Sequence, residues 1–365
     1  MRIFDTFLFD GELSLLEHRL AETADLVDVY VLVEAGETFR GEPKPLAFAA
    51  ARSRFAAYEA KIRHVQLPRL GPASTDAWSR EKNQRDAVLF ALQDAAADDI
   101  ILILDADEIP SRSLLEKLRT NGLDHARRLL MTRHYETLDR IAPRSPCCPD
   151  PYAPFPFAHR RMRPGSWDAL AIDWFSRSGV AAPYRDLLSE RNGQATSVHE
   201  LRRSVAVAGA LPDAGRHLCF VDPAANPSRK LGRMAHAELA GDRAQSVEHL
   251  VRCRRYGIHH RGWWYAERPT GELPLDLQRL CRRIPSLVVA DGSSAPIRRL
   301  VRTWAWLRTW KALPDWTANN IDRRFDAWWP LLAMPLLLLD AIGIIAAGVA
   351  RRRARRVQPL RHPLT

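Results

Sequence analysis

The stretch Asp99-Ile100-Ile101-Leu102-Ile103-Leu104-Asp105-Ala106-Asp107-Glu108-Ile109-Pro110 decides the fold. An Ile/Leu run without polar alternation suits a strand covered on both faces, and such strands belong to parallel sheets. The run ends in Asp105, Asp107 and Glu108 with Pro110 behind them, so the sequence predicts a buried strand that carries carboxylates at its carboxyl end. Ligands of open α/β sheets bind at those strand ends. Asp105 and Asp107 are hard oxygen ligands, which suit Mg²⁺ or Mn²⁺ bridged to a phosphate. The plainer alternative is a polar strand end before a helix over 112–119 capped by Ser111.

Upstream, Ile3-Phe4-Asp5-Thr6-Phe7-Leu8-Phe9 alternates as a strand and runs into Asp10-Gly11-Glu12. Leu13, Leu15, Leu16 and Leu20 then recur with helical spacing up to Ala24. Val27 to Glu34 reads as a second strand, again ending in a carboxylate. Pro43-Lys44-Pro45 breaks the chain, and Ile62 to Leu67 is a third short strand. A helix opens at Trp78, carries Gln84-Arg85-Asp86 and is expected to run to about Ala97. Strand and helix alternate, which implies right-handed crossovers and a mostly parallel sheet, an α/β domain of the nucleotide-binding kind.

Phe9-Asp10-Gly11-Glu12-Leu13, Arg19-Leu20, Val27-Asp28, Val33-Glu34-Ala35 and Gly41-Glu42-Pro43-Lys44-Pro45-Leu46 together resemble glycosyltransferase family 17. Gln84-Arg85-Asp86 and the 98–110 segment fit the same pattern. Gly215-Arg216-His217, Lys230 and His236-Ala237-Glu238 resemble a second block of that family. Arg216 and Asp10 depart from it, where the family usually has Trp and Asn. The resemblance covers roughly residues 1–265. It implies a GT-A-like domain and an inverting transfer of a GlcNAc-like sugar from a nucleotide-sugar donor, UDP-GlcNAc, to a glycan or lipid-linked glycan. It further implies a metal held by Asp105, Asp107 and a histidine, His217 or His236. Glu34, Lys44, Arg85, Asp86 and Lys230 would then bind the donor. Inversion needs a base for the acceptor hydroxyl, and Glu238 is the first choice; Asp107 serves that role only if it is not metal-bound.

Composition bounds the alternatives. The net charge of +11 suggests nucleic acid until it is located: 297–365 holds thirteen Lys/Arg against four Asp/Glu, a net of +9. The α/β part is close to neutral and carries no nucleic-acid-binding signature, so nucleic acid is not the expected partner. Five cysteines at irregular spacing form no disulfide framework, and a reducing compartment is expected. Met1-Arg2-Ile3 leads straight into a strand, so no secretory signal is expected. Six prolines between Pro143 and Pro156 make that segment a loop; Phe155 within it and Phe157 and Trp167 after it are candidates to stack on sugar rings, the plainer alternative being rings that anchor a surface excursion. The His259-His260 pair lacks the spacing of a zinc site.

The C-terminal part is a different material. Residues 331–350 are apolar apart from Asp340, long enough as a helix to match a hydrocarbon core, and run into the Arg351–Arg356 cluster. Trp304, Trp306, Trp310, Trp316, Trp328 and Trp329 precede it among basic residues, the pattern of a membrane interface. Pro335 and Asp340 within the run favour monotopic or peripheral attachment on the cytoplasmic side over a single span. The expected division is therefore a GT-A-like domain over 1–265, a linker over 266–296 and a helical, membrane-associated tail over 297–365. A metal-dependent phosphohydrolase and a membrane-bound scaffold with a degenerate transferase fold are the rival readings.

Overall fold

The computed structural model describes residues 1–135, 137–141, 178–188, 197–205, 209–221, 233, 266–267 and 270–288. Strands β1 (Ile3–Phe9), β2 (Val29–Ala35), β3 (Ile62–Leu67) and β4 (Ile100–Asp105) pair in parallel in the order β3-β2-β1-β4. Helix α1 (Leu13–Thr23) joins β1 to β2, and α2 (Ala47–Ala51) with a following 3-10 stretch leads to β3. Helix α3 (Ala77–Asp86) continues as 3-10 turns to Ala91 on the way to β4. The helix expected to reach Ala97 is thus shorter, and the Asp99 carboxylate, accepting from Ala96 N at 2.9 Å, shapes the turn into β4.

The absence of alternation in β4 follows from two covered faces. Ile100, Leu102 and Leu104 pack with Leu16, Leu20, Leu114, Leu115 and Leu118, whereas Ile101 and Ile103 pack with Val31, Val33, Val88 and Val198. Helix α4 (Arg112–Asn121), which supplies three of those leucines, starts where expected: Ser111 Oγ accepts from Leu114 N at 3.2 Å.

Beyond β4 the expectation of a mostly parallel sheet is corrected to a mixed one. Strand β5 (Glu108–Pro110) follows β4 after two residues, too few for the crossover that a parallel neighbour needs. Strand β8 (Val180–Pro183) pairs antiparallel with β4, and β6 (Arg127–Tyr135) antiparallel with β8. Strand β9 (Leu211–Cys219) runs parallel to β6 and antiparallel to β5. The short β7 (Arg140–Ile141) and β10 (Ala266–Glu267) close one edge, giving ten strands among the described residues.

Part of the expected linker belongs to the folded body. Helix α6 (Leu275–Arg283) buries Leu277, Leu280 and Cys281 against Leu15, Ile109, Leu138, Leu218 and Val221. Leu273, Leu277 and Leu280 recur at helical spacing among arginines, and Arg279 and Arg283 reach Glu22 of α1. Leu138 N also donates to Leu287 O at 2.8 Å. Among the described residues no helix is long and apolar enough to cross a membrane. Segments 143–156, 259–260 and 297–365, with the apolar run, the tryptophans and the arginine cluster, lie outside the described residues.

Candidate functional site

Strand β1 has β2 on one side and β4 on the other, so the chain reverses its direction of travel across the sheet between β1 and β4. Crevices of open α/β sheets lie outside the carboxyl ends at such a reversal. Asp10 follows β1 at that end, with Lys44 Nζ 2.8 Å from its Oδ1 and Arg233 Nη1 3.5 Å from its Oδ2. Lys44 is brought there by its own backbone, whose N–H donates to Gly36 O at 2.8 Å just after β2.

Asp105 closes β4 across the crevice. Its Oδ1 accepts from Arg85 of α3 at 2.9 Å. Its Oδ2 accepts, also at 2.9 Å, from Arg202 of α5 (Val198–Ser204). Glu108 is wholly buried: its Oε1 and Oε2 both accept from Arg202 at 3.0 Å, and Oε2 accepts Asp105 N at 3.0 Å. Burial opposes the charge on Asp105, but Arg202 and Arg85 outweigh it and hold the carboxyl well below the usual range. The same carboxylates raise Arg202 above its ordinary value against its burial.

The turn from Asp105 to Glu108 is shaped from beneath. Arg19 of α1 is fully buried, donates to the carbonyls of Asp105 at 3.1 Å, Ala106 at 3.0 Å and Glu108 at 2.7 Å, and is forked onto the buried Asp5. One guanidinium thus binds three carbonyls of the turn.

Asp107, in the turn before β5, also comes within reach of β9. Its Oδ1 lies 3.6 Å from His217 Nε2, and His217 Nδ1 lies 3.8 Å from Glu108 Oε1. The register that makes this possible pairs Glu108 with His217 and Pro110 with Gly215. Gly215 has φ +151°, and a Cβ there would stand 2.1 Å from Ile109 O, so only glycine lets β9 approach β5 so closely. Burial opposes protonation of His217, yet Cys219, Asp107 and Glu108 together push its pKa up to about 9.

The sequence-derived candidates are therefore partly assembled. Asp105, Asp107, His217 and Arg85 meet at one place, and Lys44 stands at the neighbouring strand end. Glu34, expected to bind donor, is instead fully buried in the fold: its carboxylate accepts Phe48 N at 3.0 Å and pairs with His64 Nε2 at 3.1 Å. Asp86, likewise expected at the donor, latches α5 by accepting from Ser197 Oγ at 2.9 Å and from His199 N at 3.0 Å. Lys230, His236 and Glu238 lie outside the described residues. Arg202 is a neighbour of the site that sequence reasoning passed over, and Arg19 entered it only as part of a motif, without a role. Ser197 and Glu200 carry a capping-box signal for α5, but nothing in a linear reading joins Arg202 to Asp105 97 residues away.

Among the described residues no group of three or more His, Cys, Asp or Glu is arranged to hold a metal ion. Asp107 and His217 form a pair whose 3.6 Å spacing approaches that of adjacent ligands on one ion. A pair fits Mg²⁺ or Mn²⁺, which take few protein ligands and complete their shells with water and substrate phosphate.

The fold and the site define an open α/β protein with a carboxylate-rich crevice at a topological switch point. Residues 1–135 match the family model of Glycosyltransferase family 17. Beta-1,4-mannosyl-glycoprotein 4-beta-N-acetylglucosaminyltransferase of Rattus norvegicus is 31% identical over 118 residues, 30% of this chain and 22% of its own. The Homo sapiens protein of the same name is equally similar, with the same coverage. The chain thus spans about a fifth of the length of these relatives, and the family match over residues 1–135 takes in β1 to β6. The family resemblance read from the motifs is borne out over that segment. Glucosyl-3-phosphoglycerate synthase from Mycobacterium tuberculosis, solved with Mn²⁺, UDP and phosphoglyceric acid, covers 69% of this chain and 78% of its own. Its 13% identity and TM-score of 0.30 are too slight to carry an argument.

Proposed function

We propose that this protein is a GT-A-like, inverting glycosyltransferase that moves a GlcNAc-like sugar from a nucleotide-sugar donor, UDP-GlcNAc, to a glycan or lipid-linked glycan. The observation that carries the reading is the carboxylate cluster of Asp105, Asp107 and Glu108 at a sheet switch point, inside the segment that matches the family. A donor laid across that crevice has its diphosphate between two cationic groups of residues, Lys44 on one side and Arg85 and Arg202 on the other. Fixed cations of this kind stabilise charge as it grows on the leaving oxygen, and they need no reorganisation when the bond breaks. Mn²⁺ or Mg²⁺ would be held by Asp107 and His217 beside Asp105, and supplies Lewis-acid neutralisation of the leaving diphosphate.

Inversion is a single in-line displacement, for which a carboxylate or histidine within reach takes the acceptor proton. Glu238 keeps that assignment as part of the proposal, and His236 and Lys230 remain proposed ligands of metal and diphosphate. The tail over 297–365 is proposed to attach the protein to a membrane surface, which suits an acceptor carried on lipid. The test is incubation of the full chain with a panel of nucleotide sugars, with Mn²⁺ or with chelator. Release of nucleoside diphosphate and free sugar, lost in chelator and in Asp107→Asn, supports transfer chemistry. Release of nucleoside monophosphate and sugar phosphate marks a phosphohydrolase and overturns it.

A further inference from the structure

Strand β5 is three residues long and carries Glu108 into the site, and among the described residues β9 is its one ladder partner. Successive residues of a strand point to opposite faces. Glu108 and its cross-strand partner His217 lie on one face of this two-stranded ribbon, where Arg202 meets Glu108. Ile109 and Leu218, the next residue of each strand, lie on the other face. There they share one buried apolar cluster with Leu273, Leu277, Leu280 and Leu287, so α6 and its flanks back the ribbon. Two anchors set where α6 lies. Arg279 Nε donates to Glu22 Oε1 at 3.0 Å, and just past the helix Leu287 O accepts from Leu138 N at 2.8 Å. Leu15, Arg19 and Glu22 recur one turn apart on α1, which places them on one face of that helix. Leu15 joins the apolar cluster, Arg19 holds the carbonyls of the turn into β5, and Glu22 fixes Arg279. The family-matched segment ends at residue 135, so β9 and α6 both lie beyond it.

We infer that α6 is a clasp whose Leu277 and Leu280 are positioning residues: acting through Ile109 and Leu218, they set the place of Glu108 and His217 in the site. Shortening a buried side chain behind the ribbon leaves a void into which its neighbours relax only in part. A shift of about 1 Å in reacting groups, caused by a change far from the chemistry, can cost on the order of a hundredfold in rate. Lys44 and Arg85, which meet the donor in the proposed function, belong to other elements and do not depend on the clasp. Loss of the clasp therefore acts on turnover more than on donor affinity. The inference deepens the glycosyltransferase reading and rests on it only for the kinetic arm of the test.

The test compares Leu280→Ala with Leu92→Ala in the full chain. Both delete the same atoms from a fully buried leucine, but Leu92 packs with Val31 and Val33 in a separate cluster. Amide hydrogen exchange read by mass spectrometry reports local opening without reference to activity. In Leu280→Ala, residues 107–111 and 214–219 are expected to exchange at least about tenfold faster than in wild type, while 29–35 stay within about twofold. Leu92→Ala is expected to leave the ribbon as protected as in wild type. In kinetics, Leu280→Ala is expected to lower kcat for donor hydrolysis at least about tenfold at a donor KM within about threefold, and Leu92→Ala to keep wild-type kcat. Leu280→Met, which restores the volume, is expected to recover most of the lost kcat. Equal loosening of the ribbon by the two Ala variants, or a kcat in Leu280→Ala no lower than in Leu92→Ala, makes α6 merely structural and overturns the inference. Should Leu280→Ala not fold, Leu280→Val leaves a smaller void and carries the same comparison. A wild type that turns over no nucleotide sugar refutes the proposed function, while the exchange pattern still decides the clasp.

Discussion

Replacing Arg19 by Met removes the centre of the most deeply buried ionic arrangement in the described structure. Arg19 and Asp5 are both 0% exposed, 2.7 Å apart at their nearest atoms, and the guanidinium also lies 4.2 Å from the Phe7 ring centroid. Removing one partner of a buried pair costs about 3–5 kcal/mol, because the other charge is left uncompensated. The carbonyls of Asp105, Ala106 and Glu108 lose their donor in the same step, at about 1 kcal/mol or more each where water does not enter. We expect a loss of about 6–8 kcal/mol in all where water does not enter, comparable to the whole stability of a marginal domain. Urea unfolding followed by far-ultraviolet circular dichroism gives the number, as a shift of midpoint at unchanged slope. The double variant Arg19→Met with Asp5→Leu is expected to recover about 2 kcal/mol relative to Arg19→Met alone, since both charges then leave together. Arg19→Lys is expected to fall between, and to lose donor hydrolysis in molecules that remain folded, because an ammonium cannot reach all three carbonyls. A double variant no more stable than Arg19→Met would refute the argument, since Asp5 would then not be sensing Arg19.

A second expectation concerns pH. His18 is 1% exposed and burial holds its pKa down to about 4, with Glu22 and Asp276 opposing that shift and Arg283 and Arg279 adding to it. In the unfolded chain it titrates near its ordinary value of 6.5, so between pH 6.5 and 4 the unfolded state binds the extra proton. Stability from this group is therefore present above pH 6.5 and lost as pH falls toward 4, by about 3 kcal/mol in total. His18→Gln should flatten that slope in unfolding curves from pH 7 to 4.5, and an unaltered slope would contradict it. Gly215→Ala puts a Cβ into Ile109 O; it should cost at least about 1–3 kcal/mol and depress donor hydrolysis by moving His217. Wild-type stability and turnover in that variant would remove the register argument. Asp86→Ala should loosen α5 and share with Arg202→Lys a lowered kcat for donor hydrolysis, and an Asp86→Ala protein with wild-type kcat would show that the latch is dispensable. Truncation after Arg324 should move the protein from membranes to the soluble fraction with donor hydrolysis intact; a truncated protein that still sediments would place the anchor elsewhere.

The sequence by itself determined the elements that depend on neighbours close along the chain. The bounds of β1 to β4, the Ser111 cap of α4 and the arrival of Asp105 and Asp107 at a strand end all follow from runs of a few residues whose period matches one backbone conformation. Parallel pairing of those strands was legible too, because each is separated from the next by a segment long enough to cross over. What followed β4 was decided in three dimensions. Asp107 and Glu108 are neighbours in sequence and look alike as acids. Both come within 4 Å of His217, but only Glu108 is also held by Arg202, because the fold brings α5 to the Glu108 side of the turn. Glu34 and Asp86 read as ligand groups because a carboxylate in a motif carries no mark of its burial; one braces Phe48 and His64, the other anchors a helix. The same holds for 270–288, where leucines spaced for a helix did not say against what they would pack until α1, Ile109 and Leu218 supplied the surface. Local propensity acts over a turn or a strand, whereas a guanidinium finds its carboxylate only after the chain between them has folded.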